Sequence, residues 1–243
     1  MLIRIACLLL IVPVTVPTEA QVPNRTESFT SGGKPIQVEV FSPAAAGRHP
    51  AVLLLYGAGG LTRRGDAFRR YGSQLAEHGL VTFLVHYFDA TGSDQAGEIN
   101  SDRFPLWWKT VYDGVGFAQH QADVDKNRIA ILGFSLGGYV ALAEASQDKR
   151  VKAVAEYYGG MSDDFQRSVT HMPPTLILHG EKDSMVPVSQ AYELHKFLAK
   201  LGVSSELRIY PGQEHGFDMD GDPASAKDAG ERVLAFFDRY LGR

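Results

Sequence analysis

Apolar residues fall along the chain in two patterns. Short unbroken runs at 51–56, 81–86, 129–132, 151–157 and 175–179 have the length of strands and leave neither face wet. They predict strands covered on both sides. At 36–41 the pattern alternates: Ile36, Val38 and Val40 are separated by Gln37 and Glu39. That is a strand with one wet face. With residues 28–30 and the turn Ser31-Gly32-Gly33-Lys34 it predicts an antiparallel hairpin. A last strand is predicted at 206–210. Helical patterns fill the intervals at 67–78, 105–121, 138–145, 188–201 and 224–241, with Pro105 suited to a first turn. Residues 87–104 form a long polar loop, and 158–174 has no regular period. A hairpin followed by alternating strands and helices predicts the α/β class: one mostly parallel central sheet with an N-terminal antiparallel hairpin and helices on both faces.

The first twenty residues break the pattern. Arg4 precedes the almost wholly apolar stretch 5–16, and Thr18-Glu19-Ala20 ends it with small residues before Gln21. This is the layout of a cleavable secretory signal peptide over 1–20, with one domain over 21–243 and a secreted or periplasmic location. Pro13 and Pro17 in so short a run argue against a stable membrane anchor. The single cysteine, Cys7, lies in this segment, so the processed chain has no thiol for a disulfide, a cysteine–zinc site or a cysteine nucleophile. The formal net charge of −4 gives no electrostatic case for nucleic acid.

The informative chemistry sits where strands end. After the run 129–132 comes Gly133-Phe134-Ser135-Leu136-Gly137, then a helical stretch. A serine between two glycines at a strand-to-helix turn is a nucleophile elbow: the turn is sharp, and bulky neighbours two residues away would clash. Asp183 follows the strand 175–179 and can orient an imidazole; Asp164 and Glu181 are rivals for that role. In hydrolases built around such an elbow the chain order is serine, acid, histidine. Of eight histidines only His195 and His215 follow Asp183, and His195 lies mid-helix. His215, on a glycine-flanked loop after the last strand, is therefore the candidate base, while His86 and His179 read as structural. An oxyanion site needs two backbone donors: the Leu136 amide beside the serine, and most plausibly Ala58 in the loop Tyr56-Gly57-Ala58-Gly59-Gly60. That loop matches no phosphate-binding glycine motif.

Gly133-Phe-Ser-Leu-Gly-Gly138, His179-Gly-Glu-Lys-Asp183 and Tyr210-Pro-Gly-Gln-Glu-His-Gly-Phe217 together resemble the dienelactone hydrolase family of α/β-hydrolases, over about 36–241. The resemblance implies the α/β-hydrolase fold and a triad of Ser135, Asp183 and His215. Two departures separate the chain from dienelactone hydrolase itself, which has a cysteine at the position of Ser135 and a glutamate where this chain has Gly57-Ala58. Its carboxylate-binding arginines also have no clear counterpart, since 217–226 holds none. The reading is a serine hydrolase of small-molecule carboxylic esters or lactones that needs no cofactor or metal. A peptidase or amidase with the same triad, or a binding protein that kept the fold, are the alternatives.

Phe134, Met185 and Phe217 are candidate substrate contacts, with Trp107, Trp108, Met161 and Phe165 as further apolar floor. Asp89, Asp94, Glu98, Asp102, Asp163, Asp164, Asp218, Asp220 and Asp222 predict an acidic rim that favours neutral or cationic esters. For the leader, intact mass of the protein from an exporting host is expected to show Gln21 as the N-terminus; a mature chain beginning at Met1 rules out cleavage after Ala20.

Overall fold

A computed structural model describes residues 24–100 and 102–242. The expected signal peptide lies outside the described residues. The chain forms β1 (Asn24–Ser31), β2 (Lys34–Phe41), β3 (His49–Leu55), α1 (Gly60–Glu77), β4 (Val81–Val85), α2 (Phe104–Gln119), β5 (Val124–Phe134), α3 (Leu136–Gln147), β6 (Val151–Tyr157), α4 (Asp163–Gln166), β7 (Thr175–Gly180), α5 (Ser189–Lys200), β8 (Ser205–Tyr210), α6 (Phe217–Asp220) and α7 (Pro223–Leu241). The eight strands make one sheet in the order β1-β2-β4-β3-β5-β6-β7-β8. β1 and β2 pair antiparallel, as do β2 and β4, and every later pair is parallel.

The apolar runs become the central strands for the reason their pattern implies. All of β4 and β7, and β3 beyond its first residue, are buried. Alternation sorts their side chains onto two faces. Leu53 pairs with Ile131 and Leu54 with Leu132. The Leu53 face lies under α2, where Gly114 packs on Leu53. The Leu132 face lies under α1 and α7, which share a hollow with Leu132 and join through the His78 Nε2–Asp238 contact at 3.0 Å. Parallel order sends the ends of β3, β5, β6, β7 and β8 to the same edge, which is why the strand-end motifs meet.

The helix after β3 starts at Gly60, not near 67. Gly60 takes φ +64°, and a kink at Arg64 joins a short first turn to the regular helix. Strong polarity at 61–66 hid that turn from periodicity. β5 also starts earlier than its apolar core: Val124 pairs with His49, and the polar residues 125–128 carry the strand on to Ile129.

One buried group makes stability depend on pH. Glu144 is fully buried on α3 and accepts from Trp108 Nε1 at 2.8 Å. Burial, with Asp148 one turn on, pushes its carboxyl up to about 8. No donor faces Glu144 Oε1, so the protonated acid itself donates toward Asp148. Asp148 keeps its charge through Arg150, at 2.6 Å. The folded state thus holds a proton that the unfolded chain releases near pH 4.5, and stability falls as pH rises from about 4.5 to 8. Glu144→Gln keeps both hydrogen bonds and cannot ionise. It is expected to raise stability at pH 8 by on the order of 2 kcal/mol, a gain of several degrees in Tm that vanishes by pH 5. Thermal melts across this range check it.

Candidate active site

The backbone at Ser135 is the tightest point of the chain. It takes φ +53° and ψ −120°, a conformation that costs a residue with a β-carbon about 1–3 kcal/mol. Neighbours hold it there. Ser135 N–H donates to Tyr157 O at 2.8 Å, and Gly138 N–H donates to Ser135 O at 2.8 Å. The flanking glycines are demanded by contact. A β-carbon on Gly133 would lie 2.3 Å from Gly137 O, and one on Gly137 would lie 2.4 Å from Leu55 O. α3 begins at Leu136, so its N–H is a first-turn amide with no acceptor inside the helix. Across the end of β3, Gly57 approaches so closely that its β-carbon would sit 3.2 Å from Ser135 Cβ. Ala58 lines the same cavity as Ser135.

Asp183 and His215 arrive from the ends of β7 and β8. His215 Nδ1 lies 2.8 Å from Asp183 Oδ2, and Ser135 Oγ lies 3.0 Å from His215 Nε2. Asp183 Oδ1 accepts from the amides of Met185 at 2.9 Å and Val186 at 2.8 Å. Burial opposes its charge, but bonds from His179, His215 and the Val186 amide hold its carboxyl far below the usual carboxylate range. A hydroxyl, an imidazole and a carboxylate in this line can pass the hydroxyl proton to the ring while the carboxylate stabilises the resulting cation.

The sequence model of the dienelactone hydrolase family matches residues 36–241. The chain belongs to that family. A putative carboxymethylenebutenolidase of Salmonella typhimurium is 29% identical over 132 residues, 49% of each chain. The chain thus spans about half the length of that relative. A putative carboxymethylenebutenolidase of Aquifex aeolicus is 25% identical over 226 residues, 88% of this chain and 97% of the relative. Among solved structures, a putative dienelactone hydrolase from Klebsiella pneumoniae superposes with a TM-score of 0.75 at 21% identity, over 90% of this chain and all of the other.

Against that family background the remaining site residues sort as follows. Met185 lines the cavity and is 73% exposed. Phe134 forms a buried wall, stacked on Tyr157 with centroids 4.6 Å apart. Phe217 does not line the cavity: it is 1% exposed and packs on Tyr210 and Tyr158. Trp107 is core, Trp108 is held by Glu144, and Met161 and Phe165 line a neighbouring hollow instead. Of the rival acids, Asp164 pairs with Arg167 on the surface and Glu181 accepts from Gly212 N–H at 2.8 Å, so neither serves His215. His195 bonds to Ser205.

The predicted acidic rim does not line the serine cavity. Asp218 is part-buried and accepts from Tyr158 Oη at 2.6 Å and Tyr71 Oη at 2.8 Å. Burial pushes its carboxyl up. Asp89 accepts from Gln37 N–H, Asp222 caps α7, and Asp220 pairs with Arg64. None of the nine acids lines the cavity of about 150 Å³ at Ser135, whereas Arg63 and Arg64 do. Sequence reasoning missed these two because they fall in the first turn of α1, which periodicity left unassigned; the pair Arg63-Arg64 just after the glycine loop was the available signal.

Three further groups surround the line. The Tyr158 ring packs 4.4 Å from the His215 ring, on a backbone at φ +43°. His179, read as structural from the sequence, lies 3.3 Å from Asp183 Oδ2 and donates through Nε2 to Val186 O at 2.9 Å. Glu156 is fully buried beneath the elbow and accepts from Gly159 N–H at 2.6 Å; burial pushes its carboxyl up to about 7. The long loop reaches the site through its backbone, Ala96 N–H donating to Ala58 O at 2.9 Å.

Proposed function

We propose that the protein is a serine hydrolase of carboxylic esters acting through an acyl-enzyme. The observation that carries this is the unbroken line Ser135–His215–Asp183, at 3.0 and 2.8 Å, opening on a cavity. Ser135 Oγ attacks the ester carbonyl carbon as its proton moves to His215 Nε2. The carbonyl electron pair moves onto oxygen, where the Leu136 and Ala58 amides hold the developing charge. Asp183 keeps the ring in the tautomer that presents Nε2 and stabilises the imidazolium. Collapse breaks the bond to the leaving oxygen, which takes the proton from Nε2. Water then gives a proton to His215, attacks the acyl carbon, and Ser135 leaves with that proton. Membership of a hydrolase family and the names of the two relatives support ester or lactone cleavage. The apolar leader supports action outside the cytoplasm.

The cavity's charge refines the substrate. Arg64 is engaged by Asp220, and Arg63 makes no ion pair among the described residues. Both stand beside the segment that carries His215, on the side from which the leaving group departs. An ester whose alcohol portion is anionic fits this side better than a neutral or cationic one. The butenolide named in the relatives' activity has that negative charge as its carboxymethylene group.

Fluorophosphonate labelling tests the chemistry: Ser135 is expected to be the labelled residue. On a chromogenic acyl ester, Ser135→Ala is expected to lower kcat by about 10⁶ and Asp183→Asn by about 10⁴, while Asp164→Asn stays within twofold. A crippled Asp164→Asn beside a competent Asp183→Asn reassigns the acid, and a protein that cleaves anilides far better than matched esters is an amidase. For charge, Arg63→Ala is expected to lower kcat/KM for an anionic alcohol group about tenfold more than for its neutral analogue, a gap that narrows as salt rises from 0.05 to 0.5 M. Equal losses on the two substrates remove Arg63 from recognition.

A further inference from the structure

The cavity at Ser135 holds about 150 Å³, whereas sites for small molecules usually run from about 300 to 1,000 Å³. Much of an ester bound to Ser135 must lie beyond it. A second space of about 370 Å³ opens along the first two turns of α3. Leu136 and Ala143, seven residues apart on one helical face, form its floor. Met161 and Phe165 from the segment after β6 close one side, and Ile99 from the loop before α2 and Phe104 at the start of α2 close the other. Polar groups reach it only at Tyr139, Gly160 and Ser162. Ile99 is 52% exposed at its mouth, an apolar surface that stays in water unless something covers it.

Leu136 ties this hollow to the chemistry. It is the residue next to Ser135, so its amide faces the carbonyl oxygen of a bound ester while its side chain lines the hollow. Direction follows from proton transfer. The leaving oxygen takes its proton from His215 Nε2 and so departs on the His215 side. No residue of 211–222, the segment that bears His215, lines the hollow, whereas His215, Gly216 and Met219 line the serine cavity with Arg63 and Arg64. The carbon chain on the other side of the carbonyl leaves away from that segment, and a third hollow leads on to α3, sharing Met185 with the serine cavity and Tyr139 and Ser162 with the space along α3.

We propose that this hollow is the acyl pocket, and that the acyl groups it receives are apolar alkyl chains longer than acetyl. The proposal rests on Ser135 being the nucleophile of an ester hydrolase. Each methylene buried there contributes about 0.8 kcal/mol, close to fourfold in kcat/KM, until the space is filled.

The test compares 4-nitrophenyl acetate, butyrate and hexanoate on the full chain, and then ethyl and hexyl acetate. The wild type is expected to prefer hexanoate to acetate by at least tenfold in kcat/KM, and to gain less than threefold when the same chain is moved to the alcohol. Ile99→Asp places a charge at the mouth on an exposed residue that folding tolerates, and Ala143→Leu fills the floor from α3. Each is expected to cut the hexanoate-to-acetate ratio at least fivefold. Should Ala143→Leu fail to fold, Ile99→Asp decides alone. A flat acyl series, a ratio unmoved in the folded variants, or a preference that follows the alcohol chain overturns the pocket while leaving Ser135 chemistry intact. A protein that cleaves none of these esters and does not label at Ser135 overturns the hydrolase reading and the pocket together.

Discussion

The backbone of Ser135 is held at positive φ because three elements converge on it with no room between them. β5 delivers the residue, α3 leaves so abruptly that Gly133 can bear no β-carbon, and the end of β3 presses so closely from the side that Gly137 can bear none. The cost of that conformation is offset by two backbone hydrogen bonds and by the packing of the parallel sheet around it. Everything else at the site is referred to this point. The Leu136 amide, the Gly57–Ala58 loop and the His215 ring approach one hydroxyl because the sheet aligns the ends of its parallel strands. A flatter turn would lower the serine into the sheet and open the contacts that hold it.

Charge in this neighbourhood is decided by how many donors each carboxyl finds. Asp183 is buried yet receives two amides and two imidazoles, and stays ionised far below the usual range. Glu156 receives one amide and Glu144 one indole, and burial pushes both up toward neutrality. Asp218 sits between, with two tyrosine hydroxyls and a raised carboxyl. Desolvation acts on all four, and the donor set separates them. The acid that faces His215 is the one with the most N–H groups aimed at it. Arg63 and Arg64 line the cavity while none of the nine acids does, opposite to what a count of acidic residues near the site suggests.

Much of the architecture was legible in the chain. Unbroken apolar runs located the central strands, alternation located the wet-faced β2, and strand–glycine–helix punctuation located Ser135. Asp183 and His215 followed from lying just after strands, because a parallel sheet brings those positions to one edge whatever the side-chain detail. The positions of Ala58, in the loop after β3 and lining the serine cavity, and of Leu136, at the start of α3, were legible because both sit at element ends. The turn at 60–66 was not, since its polar residues carry no period, and Arg63 and Arg64 were lost with it. Phe217 and Asp218 were misplaced because a short helix of four residues turned them inward, below the resolution of any pattern.

The sequence by itself determined the order of elements, the elbow, and the placement of Ser135, Asp183 and His215 just after β5, β7 and β8, because hydrophobic period and glycine placement act locally and a parallel sheet brings such strand ends to one edge. Only the tertiary structure decided which acids are buried, which cations face the cavity and which apolar side chains bound open space. These depend on rotation about short helices and on contacts between segments more than a hundred residues apart, such as Tyr71 with Asp218 and Arg64 with Asp220. Local composition carries no record of such pairings, and a carboxylate counted as rim in the sequence becomes, once folded, a part-buried acceptor for two tyrosines.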